Sequence, residues 1–198
     1  MNNHFHPRRF VVFGIMAALF VEPAFATSKG KAIELVERLV NEISLMINSV
    51  ETEMELTSTF ERIVAKYADM NVISRSTLGP RARGATESEL KTFKKAFQGY
   101  FARKYSKQFQ GFSGSQIILK DTKYRGKFFE VGASIVVDGS SNIDVKFRVS
   151  DRSGEPRFFD IILEGISLLS SERVEIGALL DKRQGDIGLL SKDIEELG

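Results

Sequence analysis

The first half of the chain repeats its apolar positions at helical spacing, and from Gly111 the period shortens to two. Ile33, Val36, Val40, Ile43, Ile47 and Val50 follow one another at intervals of three and four, so Ala32 to Val50 is predicted to be a long helix with one apolar face. Leu56, Phe60, Ile63, Val64 and Tyr67 predict a second helix, and the short apolar run from Val72 to Leu78, stopped by Gly79-Pro80, a brief third. Pro80 to Gly84 reads as a loop. Thr86 with Glu89 three residues later has the form of a capping box, opening a helix that runs to about Phe109. Its apolar face, Leu90, Phe93, Phe97, Tyr100, Phe101, Tyr105 and Phe109, is rich in aromatics, with lysines opposite.

Beyond Gly111, the segments Gln116 to Lys123, Lys127 to Val137, Ile143 to Val149 and Arg157 to Leu163 alternate as strands, separated by turn-forming stretches. They predict an antiparallel meander. Phe129, Val131, Ala133, Ile135 and Val137 share one face of the second strand, and Ile143, Val145, Phe147 and Val149 one face of the third, with Asp144, Lys146 and Arg148 opposite. Ile166 to Gln184 and Ile187 to Leu197 return to helix, broken at Gly185-Asp186. The fold class is therefore α+β: N-terminal helices, a four-stranded antiparallel sheet, and C-terminal helices, with helical faces covering the dry face of the sheet. Those surfaces either close fully or leave an apolar pocket between sheet and helices, and periodicity does not distinguish the two.

Composition narrows the function. With 198 residues, 42% of them hydrophobic and 16 Phe, the chain can bury one sizeable core, which excludes disorder. There is no cysteine, hence no disulfide framework and no thiolate metal site. Residues 1–26 run from Arg8-Arg9 through an apolar stretch, Phe10 to Val21, to Pro23 and Ala24-Phe25-Ala26, the pattern of a signal peptide cut after Ala26. About 12 apolar residues span roughly 18 Å of helix, against a hydrocarbon core of about 30 Å, so a retained membrane anchor fits less well. The expected mature form is a single domain, residues 27–198, exported to the periplasm. Both histidines, His4 and His6, leave with the leader. The mature chain then lacks His, Cys and Trp, which removes histidine acid–base chemistry, the Ser-His-Asp and Cys-His nucleophile systems and imidazole zinc sites.

Other motifs are weak. Ser28-x-x-Lys31 and Ser88-x-x-Lys91 have the spacing of a lysine-activated serine, but the companion motifs are missing. Gly111-Phe112-Ser113-Gly114-Ser115 lacks the last glycine of a nucleophile elbow and reads as a linker. Asp138 with Ser140 and Asn142 resembles the start of a calcium loop without its later ligands, so a hairpin turn explains it better. Asp160 and Glu164, on one face of a strand, leave open a carboxylate-based hydrolase. Charge is uneven: Arg62 to Lys127 holds 15 basic and 4 acidic residues. Within it Arg75, Arg81, Arg83, Lys94, Lys95, Lys104 and Lys107 form either a positive docking surface or a solvated helix face. An exported protein rarely meets nucleic acid, so none is expected as a partner.

Two stretches are more specific. Phe60-x-x-Ile63 through Leu78-Gly79 and Ala85-Thr86-x-x-Glu89-Leu90-x-x-Phe93-x-x-Ala96-Phe97-x-x-Tyr100-Phe101-x-x-x-Tyr105 resemble the helical half of the MlaC family, also called the toluene-tolerance family. Asp160 to Leu169, with its Glu164-Gly165-Ile166-Ser167 core, then Arg173, Glu175 and Gly177-x-Leu179-Leu180, is similar to the family's strand-to-helix signature. The resemblance runs from about Ala32 to Leu197. It implies a non-enzymatic periplasmic carrier, without cofactor or metal, that buries phospholipid acyl chains between a bent sheet and helices. The implied partners are an outer-membrane lipoprotein complex and an inner-membrane ABC transporter bearing an MlaD-type subunit, with the carrier acting as a monomer. The hopanoid-associated HpnM branch is similar in sequence, so hopanoids or related lipids are the alternative cargo.

A diacyl lipid gains about 0.8 kcal/mol per buried methylene, so a carrier needs a long dry slot. Phe129, Val131, Ile135, Val145, Phe147, Phe159, Ile161 and Leu163 on the sheet, with Phe97 and Phe101 opposite, are the residues expected to line it or else to form plain core. In the signature, Gly165 is expected to let the chain turn from strand to helix and Ser167 to cap that helix, with Arg173 paired to Glu164 or facing a partner.

Overall fold

A computed structural model describes residues 28–49, 52–137, 139 and 141–197. The leader, Val50 and two residues of the Asp138 to Ser141 turn lie outside the described residues. The helical half comprises α1 (Lys29–Ser49), α2 (Glu53–Tyr67), α3 (Met70–Thr77) and α4 (Glu87–Gln110). The sheet follows, with β1 (Gln116–Tyr124), β2 (Phe129–Val136), β3 (Ile143–Ser150), β4 (Arg157–Leu163) and β5 (Ile166–Ser167), and then α5 (Leu168–Lys182) and α6 (Ile187–Glu195). None of the described helices is long and apolar enough to cross a membrane.

The predicted α+β architecture holds, with two local differences. Gly79–Arg83, read as a loop, is a turn of 3₁₀ helix with Pro80 near its start, where a missing N–H costs nothing. Ile166 and Ser167, read as helix, pair back onto β4 as a fifth strand, opposite Leu163 and Ile162. The two-residue connection is Glu164-Gly165, with φ of 49° and 82°. Two successive positive φ values make the type I′ hairpin that matches strand twist, and Gly165 supplies the second without strain. Ser167 then caps α5, its Oγ accepting from the Ser170 N–H at 3.1 Å.

The five strands pair antiparallel in sequence order. On the inner face Val131, Ala133 and Ile135 of β2 lie beside Val145, Phe147 and Val149 of β3, all buried. Two bulges break the ladder. In β1, Lys120 and Asp121 oppose the single residue Gly132, where a Cβ would come within 3.1 Å of the Asp121 carbonyl, a tight contact that glycine avoids. In β4, Phe159 is the extra residue: Arg148 pairs with Asp160, but Val149 pairs with Phe158.

Helices and sheet are pinned together at the start of β4. Arg157 Nη1 donates to the carbonyls of Ala65 and Lys66 at 3.1 and 3.0 Å, satisfying the orphan acceptors at the end of α2. The Asp69 N–H donates to the Phe158 carbonyl at 2.8 Å, while its carboxylate caps α3 through the Val72 N–H. The capping box predicted at Thr86 and Glu89 is present at the start of α4. That helix runs through the core with Phe93, Phe97, Tyr100, Phe101 and Tyr105 buried, and α2 and α6 pack against it.

Candidate functional site

An apolar cavity lies between the inner sheet face and the helices. Its walls are Leu39, Val40 and Ile43 from α1, Phe60, Ile63 and Val64 from α2, and Phe101, Tyr105, Gln108 and Phe109 from α4. The sheet contributes Ile117, Ile135, Val145, Phe147, Phe158, Ile161 and Leu163, and Phe112 and Leu168 complete the rim. Gln108, Phe112, Ile117, Leu163 and Leu168 are partly or well exposed, which places the mouth beside the C-terminal end of α4 and the start of α5.

The cavity is a narrow slot of about 70 Å³. One water needs about 10–15 Å³ of such room and two to four polar partners. The slot offers few partners. Its two polar side chains are Gln108, at the rim, and Tyr105, whose hydroxyl is turned away. A space of this shape and lining favours apolar chains over water or polar substrate. Two tails would require sheet and helices to part, and the α1 and α2 walls meet the cavity only through apolar side chains.

A buried polar cluster stands behind the Tyr105 wall. Tyr105 Oη donates to Glu172 Oε1 at 2.6 Å, Lys104 Nζ donates to the same oxygen at 2.7 Å, and Lys104 also bonds Glu175 at 2.5 Å. Tyr100 Oη donates to Glu175 at 2.8 Å. Burial and the two carboxylates push both tyrosine hydroxyls well above their ordinary 10.0. Burial would raise Glu175, but hydrogen bonds from Lys104 and Tyr100 outweigh it and hold the carboxyl below its ordinary 4.5. The cluster ties α4 to α5 and fixes the ring that faces the slot.

Six of the ten residues expected to line a slot do so: Phe101, Ile135, Val145, Phe147, Ile161 and Leu163. The other four lie elsewhere. Phe97 is fully buried in the α4 aromatic stack, its ring centroid 5.7 Å from that of Phe93 and 5.9 Å from that of Tyr100. Val131 is fully buried core, and Phe129 packs at the strand end against Tyr124, centroids 5.0 Å apart. Phe159 sits in the β4 bulge and meets Phe128 edge-on at 5.3 Å, while Phe158 takes the cavity-facing place. Simple alternation from Ile161 assigns Phe159 inward, and an inserted residue reverses that assignment.

Sequence reasoning missed the α1 and α2 walls and the rim. Val40, Ile43, Phe60, Ile63 and Val64 were all legible as buried helical faces. Whether such a face meets a void or another side chain leaves no trace in periodicity. Phe112, on a segment read as a linker, closes the rim because that loop docks on α1. Ser113 Oγ donates to the Ile47 carbonyl at 3.3 Å, and the Gly114 N–H to Asn48 Oδ1 at 3.2 Å.

The carboxylates singled out as a pair do separate jobs. Asp160 is buried and accepts from Arg148 at 3.1 Å, Ser167 Oγ at 2.8 Å and the Leu169 N–H at 3.1 Å, which anchors the start of α5. Glu164 is exposed in the hairpin and accepts from the Asp144 N–H. Arg173 does not pair with Glu164; its guanidinium lies over Gly79. No carboxylate lines the cavity among the described residues, and they contain no group of three or more His, Cys, Asp or Glu able to hold a metal.

The basic segment is divided rather than continuous. Lys104 is taken into the cluster, Lys107 pairs with Glu53 at 2.8 Å, Arg75 lies 3.8 Å from Glu87, and Lys94 bonds Asn71 at 3.0 Å. Arg81, Arg83 and Lys95 are exposed and make no ion pair among the described residues.

The sequence profile described as MlaC protein matches residues 37–196. No curated protein matches the chain. The fold is similar to the structure of a phospholipid-binding protein from Ralstonia solanacearum, solved in complex with a phospholipid at 1.53 Å resolution. The TM-score is 0.72, at 16% identity, covering 84% of this chain and 96% of that one, a likeness of fold.

Proposed function

The chain belongs to the MlaC family, and from that premise we propose that it is a periplasmic carrier that buries the acyl chains of a phospholipid in the slot between sheet and helices. The observation that carries the reading is the dry, one-sided cavity, walled by α1, α2, α4 and the inner sheet face and open at one end. A headgroup would remain at the mouth, so selectivity would rest mainly on the tails. The lining is Phe101, Ile135, Val145, Phe147, Ile161 and Leu163, joined by Leu39, Val40, Ile43, Phe60, Ile63, Val64 and Phe158. The phospholipid-bound relative of the same fold supports this cargo over hopanoids.

In this reading residues 1–26 are removed on export and residues 27–198 act as one monomeric, non-enzymatic domain. The carrier moves lipid between an outer-membrane lipoprotein complex and an inner-membrane ABC transporter with an MlaD-type subunit. Arg81, Arg83 and Lys95, exposed and without an ion pair among the described residues, suit a role in steering such encounters. The test is uptake from vesicles. Purified lipid-free protein is incubated with phosphatidylethanolamine/phosphatidylglycerol vesicles or with vesicles carrying hopanoid, and the soluble fraction is analysed. Phospholipid held by the protein supports the reading; hopanoid alone transfers it to the other cargo, and neither contradicts it.

A further inference from the structure

A second concavity lies on the outside of the helical layer, between α1 and α2, lined by Glu42, Leu45, Met46 and Ser49 on one side and Thr59, Arg62, Ile63 and Lys66 on the other. Ile63, 4% exposed, also lines the interior cavity, so its side chain borders both the groove and the slot. Beside it Met46, 2% exposed, completes the floor. Methionine is unbranched and adapts to changing space more readily than a branched residue. The two helices are clipped at one end of the groove, where Glu42 accepts from Lys66 at 2.5 Å and from Tyr67 at 2.7 Å. Toward the α1–α2 turn no such polar clip crosses between them among the described residues.

The chemistry of the groove matches an amphiphile. Leu45 is 68% exposed on its wall, and two cations, Arg62 and Lys66, face one carboxylate, Glu42. Lys66 is matched by Glu42, whereas Arg62 bonds only the neutral Thr59 Oγ1, at 2.9 Å, among the described residues. One positive charge is left over beside the apolar floor that Ile63 and Met46 form. We propose that the α1–α2 groove is a lateral portal to the slot, in which Arg62 receives the phosphodiester of a phospholipid while its tails pass Ile63. The inference rests on the carrier reading and adds a route to it. The end mouth by Gln108 and Leu168 carries no such charge on its lining, so the two openings differ in what they offer a headgroup.

Because the chain has no cysteine, single cysteines can be labelled without background. Leu45→Cys in the groove and Gln108→Cys at the end mouth are each coupled to a bulky maleimide, and exchange of fluorescent phosphatidylglycerol with vesicles is followed. The Leu45 label is expected to slow exchange by about tenfold, the scale on which on-rates move when one interface is altered, and the Gln108 label to slow it less. Arg62→Glu, unlabelled, is expected to slow uptake of phosphatidylglycerol more than that of phosphatidylcholine. Inorganic phosphate alone, in equilibrium dialysis, is expected not to be retained. Exchange unchanged by the Leu45 label but stopped by the Gln108 label overturns the portal and leaves the carrier intact. Phosphate retention with unchanged lipid exchange also overturns it, making the groove an anion site. Failure of the unlabelled wild type to take up any lipid removes the carrier reading itself.

Discussion

Tyr105 donates a 2.6 Å hydrogen bond to the fully buried carboxylate of Glu172, so the ring that walls the cavity is fastened from behind by a charge. Tyr105→Phe keeps the wall and removes the bond, and should cost about 1.5–3 kcal/mol, the range for a hydrogen bond to a charged group. Lys104→Met leaves Glu172 buried without its counter-ion and should cost more, about 3–5 kcal/mol. Urea unfolding of the two variants checks the order, and a smaller loss for Lys104→Met would contradict it.

The same cluster sets a pH window. Glu175 is held below its ordinary 4.5, so its stabilisation is present above that value and is lost as pH falls through the lower folded value. Burial would lower Lys104, but Glu172 and Glu175 outweigh it and raise the amine above its ordinary 10.5. Its contribution is complete below 10.5 and is lost as pH rises through the folded value. Stability measured against pH should therefore decline at both ends of that window, and the Glu175→Gln variant should show a shallower acid limb than wild type.

The β4 bulge distinguishes two adjacent phenylalanines. Phe158 is 3% exposed and faces the cavity, so Phe158→Ala should cost about 3–5 kcal/mol and alter lipid retention. Phe159→Ala removes a half-buried ring packed on the edge of the core together with its edge contact to Phe128, so it should cost less than Phe158→Ala and should leave retention unchanged. Thermal unfolding with lipid quantification checks both, and equal effects would place both rings on one face.

That bulge also marks where sequence stopped being informative. Helix and strand periods placed α1 to α4 and the four long strands, because each buries a single regular face and the pattern is a direct record of that burial. The capping box at Thr86 and the Ser167 cap were legible because each is a local hydrogen-bonding motif. The β5 pairing was not, because two residues are too few to carry a period. For the site, Val145, Phe147, Ile161 and Leu163 followed from alternation, whereas Phe159 failed where the inserted residue shifted the pleat. The α1 and α2 walls escaped for a different reason. A face buried against a void and one buried against side chains have the same composition.

Val145 is 4% exposed on the slot wall, so Val145→Asp introduces a carboxylate with no partner into a dry space. Loss of lipid uptake with the circular dichroism spectrum unchanged is the expected outcome. An unfolded variant would identify the position as core support instead of slot lining.

The most direct test of the account is what the protein carries when it is made. Protein folded in a Gram-negative host, purified without detergent and extracted with organic solvent, is analysed by mass spectrometry with lipid counted against protein. The account predicts phospholipid near one molecule per chain. A folded, monodisperse protein that yields no lipid, and acquires none from vesicles, would contradict it.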